Sequence, residues 1–448
     1  SEDIVIILNN NDIIECESLN GFINIKINND ALFKYYLTFL NNPLQAEIKG
    51  KVLLEYVSAN PTGPLHIGHG RWAVIGDCLF RLLKTVGIDV QNEFYINDAG
   101  NQINIFNESV NAKKENNPVP ENGYGGHFIQ NLIDNINNGQ TNIDYVLNYQ
   151  KNTLKKLNCY FDSWFKESKL HNENILNIIK QEFSDYIIEK DGAVWFQTTK
   201  FNDDKDRVIK KENGDLTYFA ADIVYHLNKI KRGYNSIINI WGADHHGYIE
   251  RISSVIKAQQ TPVEFKVILG QLVNLFKNGE PIRMSKRTGD LIELEEVIDE
   301  IGADATRYFL IEKKPELHLD FDLDAAKEKN MSNPVYYIQY AHARICNILL
   351  KTNDLELIDG PLNNKDRQLI ISGSRYYDVL KDAAISLEPY KLTHFLYQNC
   401  KSFHSFYKEN QIIYDNKVHQ PRLEIIKIQK SIIQHCLNIL GISSPEKM

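Results

Sequence analysis

Asn60-Pro61-Thr62-Gly63-Pro64-Leu65-His66-Ile67-Gly68-His69-Gly70 lies between two segments of different period, and that change decides the fold. Upstream, Lys51 to Val57 is a short apolar run suited to a strand buried on both faces. Downstream, Trp72, Ile75, Leu79, Leu82, Leu83 and Val86 recur at spacings of three, four and seven, which line up one face of a helix. Gly87 breaks that helix, and Val90 to Ile96 supplies a second strand. Strand, Gly/Pro turn, helix and strand together make the repeating unit of a doubly wound parallel sheet. The sheet is expected to resume at Ser236 to Trp241 and Phe265 to Leu269, with a hairpin over Gln271 to Ile282 turning at Asn278-Gly279.

The same stretch carries a chemical demand. A helix that starts at the end of a strand aims unpaired backbone N–H groups and the positive end of its dipole at whatever lies above the sheet, and phosphate is the natural occupant. His66 and His69 are three apart, so they share a face and could both donate to phosphate oxygens, while Gly68 lets a base or sugar approach the backbone. Two histidines can also stand at a helix start without a ligand, and the tetrapeptide alone leaves both readings open. A second element, Arg283-Met284-Ser285-Lys286-Arg287-Thr288-Gly289, follows the hairpin. Lys286 could neutralise the β- and γ-phosphates as charge builds on a pyrophosphate leaving group, although a basic turn alone is more often a solvated one. The two segments together are far more specific than either.

The rest of the chain sets limits. With 448 residues and 43% hydrophobic content it exceeds one compact core, so two or three domains are expected. Residues 1–48 read as a small α+β appendage, with strands at Ile4 to Leu8 and Phe22 to Ile27 and a helix at Ala31 to Leu40. Residues 49–320 read as the Rossmann-like catalytic domain, with an insertion at about 104–205 made of polar helices and Gly/Pro loops. After Pro315 the strand signals stop, and residues 321–448 read as an all-α bundle with helices at Asn333 to Leu350, Lys365 to Ile385, Leu392 to Lys408 and Arg422 to Leu440. The six cysteines are scattered without a C-x-x-C pair, which argues against a zinc ribbon and a disulfide framework. A formal net charge of −8 gives no global attraction to nucleic acid, but residues 327–448 carry +4. No run is long and apolar enough for a membrane helix and no export signal opens the chain, so a cytoplasmic location is expected. The first residue is Ser1, which suggests a native start missing or trimmed.

The two phosphate-directed segments resemble the HIGH tetrapeptide and the KMSKS loop of class I aminoacyl-tRNA synthetases, in that order. The first matches completely; the second reads RMSKR, keeping its central Met-Ser-Lys and its leading positive charge. Within that class the chain resembles arginyl-tRNA synthetases over nearly its whole length, through EYVSANPTGPLHIGHGR, FYINDAGNQI, TYFAADIVYHLNK, WGADHHGY, MSKRTG, GADATRYF, HLDFDLDAA, NPVYYIQYAHARI and LGISSPEKM. The resemblance implies a ligase that activates L-arginine with ATP and Mg²⁺ and passes the arginyl group to the 3′-terminal ribose of tRNA(Arg), releasing AMP and diphosphate. Activation would require bound tRNA. It implies His66, His69 and Lys286 as catalytic, and Gly68, Asp244, Met284 and Ser285 beside them on ATP. Arginine would fall to Glu55, Ser58, Asn60, Tyr218, Asp222 and His246. A guanidinium with five donors is best matched by carboxylates, and Tyr218 and Asp222, four apart, would face the same way on a helix. Adjacent His245 and His246 rarely converge on one metal ion, so no metal ligands and no zinc are expected.

The helical domain would hold the anticodon, with Tyr336, Tyr337, Tyr340, Phe403, Phe406 and Tyr407 as stacking candidates, most of them core at such spacing. The appendage resembles part of the family's tRNA-elbow domain. The expected partners are tRNA(Arg), L-arginine and ATP, with no membrane, and the chain is expected to be a monomer. A nucleotidyltransferase acting on a free metabolite would not need the long helical domain, and a catalytically silent RNA-binding relative would not need intact His66, His69 and Lys286.

Overall fold

The structure is a computed structural model that describes residues 8, 13–38, 50–171, 174–282 and 292–448. Two compact units divide the chain: Ala46–Lys327, and Ser1–Gln45 together with Glu328–Met448.

The appendage opens with an antiparallel hairpin, β1 (Ile14–Leu19) and β2 (Phe22–Ile27), followed by α1 (Asn29–Thr38). The expected strand at Ile4 to Leu8 falls outside the described residues apart from Leu8. Tyr36 of α1 is fully buried, and its hydroxyl accepts from Gln429 Nε2 at 2.8 Å, which ties the appendage to the C-terminal helices.

The catalytic unit begins with β3 (Lys51–Glu55), α2 (Ile67–Thr85) and β4 (Asp89–Ile96). Then come α3 (Asn101–Lys114), α4 (His127–Asn135), α5 (Asn142–Lys156), β5 (Ser163–Lys166), α6 (Ser168–His171) and α7 (Ile175–Glu182). A small antiparallel sheet of β6 (Ile187–Lys190), β7 (Ala193–Phe196) and β8 (Arg207–Lys210) leads into α8 (Tyr218–Lys231), β9 (Ser236–Gly242), α9 (Ile249–Ala258) and β10 (Glu264–Gly270).

The main sheet runs β10-β9-β3-β4-β5 with every pairing parallel. Val52, Leu53 and Leu54 are all buried, as a strand covered on both faces requires. The chain builds outward from β3 to β5, then returns to the other side of β3 for β9 and β10. The order therefore reverses between β3 and β9, and the crevice outside their carboxyl ends is where such sheets bind ligands.

Two expectations are corrected. The segment at 104–205 is not wholly outside the sheet, because β5 pairs with β4 as its edge strand. Strands also continue past Pro315: β11 (Val273–Lys277) pairs with β12 (Glu280–Pro281) across the expected turn and also, in parallel, with β13 (Leu319–Asp322). Between them lie α10 (Leu294–Ile301) and α11 (Ala303–Ile311), and α12 (Leu323–Lys327) closes the unit.

The C-terminal residues form α13 (Pro334–Thr352), β14 (Glu356–Ile358), α14 (Asn364–Ser374), α15 (Tyr376–Ser386), α16 (Tyr390–Glu409), β15 (Ile413–Tyr414), β16 (Lys417–His419) and α17 (Gln420–Leu440). The helix expected over Lys365 to Ile385 is two helices that part at Arg375, and the helical unit carries a small sheet ordered β14-β16-β15. No described helix is long and apolar enough to cross a membrane.

Candidate active site

The start of α2 is held by its own histidines. His66 is the N-cap: its Nδ1 accepts from Gly68 N at 3.1 Å and His69 N at 3.4 Å, while His69 Nδ1 accepts from His66 N at 3.3 Å. With each Nδ1 acting as an acceptor, each neutral imidazole carries its proton on Nε2 and is a donor there. The rings stack at 3.7 Å, so two Nε2–H donors stand together at the positive end of a 19-residue helix. Gly68 cannot be replaced freely, because a Cβ there would lie 2.9 Å from His66 Cε1.

The adjoining carboxyl edge is cut to receive a flat group. A Cβ on Gly270 would come within 2.1 Å of Trp72 Nε1, so the end of β10 admits the indole because it is glycine; one on Gly242 would meet Asp244 Oδ1 at 2.5 Å and the same indole at 3.2 Å. Met284, Ser285 and Lys286 lie outside the described residues. Where the chain is next described, Glu293 bridges the backbone of His66, and its carboxylate accepts from the Tyr149 hydroxyl at 2.6 Å.

An acidic cluster gathers at the carboxyl end of β3, which Glu55 closes. Asp222, on α8, is partly exposed and its carboxyl is pushed up to about 7, first by burial and then by the charges on Glu167 and Glu55. The Tyr248 hydroxyl donates to Asp222 and the Tyr95 hydroxyl to Glu167. Glu55 is buried at the end of β3, with Lys229 paired to one carboxylate oxygen and Ser58 Oγ donating to the other at 3.0 Å. Ser58 Oγ accepts in turn from Tyr95 N at 3.1 Å. Val57 and Ser58 both adopt positive φ, +69° and +46°, a conformation costly for a β-branched residue that the strand end nevertheless holds.

The expected residues therefore separate. His66, Gly68 and His69 stand together, and Glu55, Ser58 and Asp222 belong to one electrostatic cluster. Tyr218 is 63% exposed at the first residue of α8, and Asn60 is exposed with its amide donating to Gln102 Oε1 at 2.6 Å. Asp244 and His246 are exposed on the turn Ala243–Tyr248 that follows β9. Glu167, Tyr95, Tyr248 and Lys229 were not anticipated. Lys229 left a signal, because it lies seven residues after Asp222 and so on the same helix face.

In the helical unit, Phe403 and Phe406 are core. The Arg344 guanidinium lies 4.5 Å from the Tyr340 ring and 4.6 Å from that of Tyr407.

Residues 38–125 and 122–351 match the family described as tRNA synthetases class I (R), catalytic domain, and residues 338–448 match the DALR anticodon binding domain. The chain is 40% identical to an arginine–tRNA ligase from Moorella thermoacetica, over 89% of this chain and 78% of that one, and 36% identical to one from Aquifex aeolicus, over 96% and 88%. A solved Campylobacter jejuni chain described as an arginyl-tRNA synthetase superposes with a TM-score of 0.83 at 35% identity, covering 93% of this chain and 99% of that one. The arginyl-tRNA synthetase of Thermus thermophilus shares the fold, with a TM-score of 0.76 at 19% identity, covering 100% and 91%. Sheet, histidine pair and helical unit thus define a class I aminoacyl-tRNA synthetase. Within that class, the chain belongs to the arginine–tRNA ligase family.

Proposed function

We propose that the acidic cluster takes the guanidinium of L-arginine and that the crevice above α2 takes ATP. The observation that carries this reading is the gathering of Asp222, Glu167 and Glu55, whose charges, after burial, raise the Asp222 carboxyl. Carboxylates crowded together under partial burial repel one another, and a planar cation with five donors is the occupant that relieves the repulsion. The α-carboxylate of arginine then attacks the α-phosphorus in line, the bond to the bridging oxygen breaks, and pyrophosphate leaves. The 3′-terminal ribose hydroxyl of tRNA(Arg) next attacks the arginyl carbonyl, and AMP departs. His66 and His69 donate from Nε2 to the phosphate oxygens, Gly68 lets the nucleotide close on the backbone, and Lys286, with Met284 and Ser285, has the role of neutralising the leaving pyrophosphate that the family's KMSKS loop implies. Asp244, as an ATP contact, and His246, Tyr218 and Asn60, as arginine contacts, are all exposed and fall within the reading.

Magnesium arrives with the nucleotide. Mg²⁺ is commonly held by substrate phosphates with few carboxylates. The Arg344 guanidinium between Tyr340 and Tyr407 supports anticodon binding by the helical unit, since stacked guanidinium and aromatic faces suit unpaired bases. The reading takes the enzyme to be a monomer of the cytoplasm.

The primary test is pyrophosphate exchange with each amino acid in the presence of tRNA. Exchange with arginine is expected, and exchange with leucine or cysteine in its place would sink the assignment. A variant separates the two roles of His66. Asparagine is a good N-cap, so His66→Asn should leave thermal stability within about 0.5 kcal/mol while kcat for exchange falls roughly 100-fold for the lost Nε2 donor. An unchanged kcat would reduce His66 to a cap.

A further inference from the structure

A cavity of about 300 Å³ opens between α5 and β5, lined by Ile96, Asp144, Lys151, Trp164, Lys166 and Lys169 among others. Ile96 and Lys166 are the last residues of β4 and β5, so the cavity sits at the carboxyl edge of the sheet, the same edge that carries the histidine pair and the acidic cluster. Lys166 and Lys169 flank Glu167, whose charge acts on Asp222. The lining carries three lysines and a single carboxylate. Asp144 stands 3.9 Å from Lys166, and Lys151 lies 4.6 Å from the Trp164 ring centroid. This is a local excess of positive charge in a chain whose formal net charge is −8. Such a cluster, beside a site that must be reached by the end of a polyanion, fits phosphate oxygens.

Resting on the function proposed above, we infer that this lysine-lined cavity binds backbone phosphates of the 3′ end of tRNA, steering the terminal ribose toward arginyl-adenylate. The terminal hydroxyl has to arrive at the carboxyl edge of the sheet, and the cavity at β4 and β5 leaves the crevice between β3 and β9 to the nucleotide. Lys166 and Lys151 act as point charges on long stems, suited to a backbone whose register is set elsewhere.

Binding of a tRNA(Arg) transcript over a range of salt concentrations tests this with the full chain and the triple variant Lys151→Gln/Lys166→Gln/Lys169→Gln. The triple variant should bind about tenfold more weakly at 0.1 M salt, and the slope of log K against log salt should lose roughly 2 of its magnitude, since each phosphate contact contributes about 0.7 to 0.9. The corresponding triple Lys→Arg variant should restore both. Asp144→Asn, which removes the one opposing charge, should tighten binding about threefold, a change that a merely structural role would not produce. With tRNA lacking its last 3′ nucleotides, parent and triple variant should bind alike. The inference is overturned if the triple variant keeps the parent slope, if its deficit persists on the truncated RNA, or if inhibition by inorganic pyrophosphate weakens while RNA binding does not; that last outcome would make the cavity a pyrophosphate site. A parent protein that fails to charge tRNA with arginine would bring down the proposed function itself, whereas normal charging beside an unaltered triple variant would bring down the cavity alone.

Discussion

Asp222→Asn should raise the KM for arginine by about two to three orders of magnitude and, at pH 8, make the ligand-free catalytic unit more stable. Removing one partner of a desolvated, charge-assisted contact costs about 2–5 kcal/mol of binding, and asparagine keeps the shape while losing the charge. The stability gain follows from where Asp222 titrates. Its ordinary value is 3.8; burial first, and then the charges on Glu167 and Glu55, push it to about 7. Between these values the folded protein holds a proton that the unfolded chain has released. Stability therefore declines as pH rises from about 4 to about 7, and above that the full cost of the carboxylate is present. At roughly 1.4 kcal/mol per pKa unit, lowered for partial exposure, the cost is on the order of 2–4 kcal/mol. Thermal unfolding of parent and variant should diverge across that interval and run parallel above it. In the parent, KM for arginine should climb about tenfold per pH unit below 7 as the carboxylate is protonated, while the variant should show a flat profile. ATP binding should hardly change in either. An equal loss for ATP and arginine, or a variant less stable at pH 8, would make Asp222 a structural residue.

The elements that were legible in the sequence are those whose cause is local. The unit from β3 to β4 announces itself because buried parallel strands are continuous apolar runs and α2 repeats its apolar residues at helical spacing. β5 is different. Ser163 to Lys166 is short and half polar, and it is a strand because β4 offers it an edge, a fact that resides about 70 residues away. β13 is missed for the same reason, paired as it is with distant β11. At the site, the spacing of His66 and His69 reveals a shared face, but their mutual capping does not follow from preference, since serine, threonine, aspartate and asparagine lead at that position. Glu55 reads as a carboxylate offered to substrate, yet it is engaged by Lys229 and Ser58 and acts on the pocket through its charge. Glu167 follows β5, so it could not be placed while β5 was hidden.

Arg307→Leu should destabilise the catalytic unit by about 3–5 kcal/mol, the usual result of stranding one member of a buried ion pair. Arg307, on α11, and Asp77, on α2, are both buried, with Nη2 donating to Asp77 Oδ2 at 2.6 Å and Nη1 to Leu157 O at 2.9 Å. The guanidinium thus joins the helix that presents His66 and His69 to the end of α5. Arg81 also donates to Asp77 Oδ2, at 2.7 Å, but from the partly exposed side of α2, so it compensates the loss incompletely. The double variant Asp77→Leu/Arg307→Leu should recover much of the loss, because no charge is then left buried. A residue of about 1–3 kcal/mol should remain for the carbonyl of Leu157, which loses a donor in both variants. Denaturant unfolding of the two variants measures both quantities. A double variant less stable than Arg307→Leu would show the ion pair to be net stabilising over a leucine pair and not merely costly to break. A single variant within 1 kcal/mol of the parent would show that Arg81 and relaxation of α2 suffice to hold Asp77.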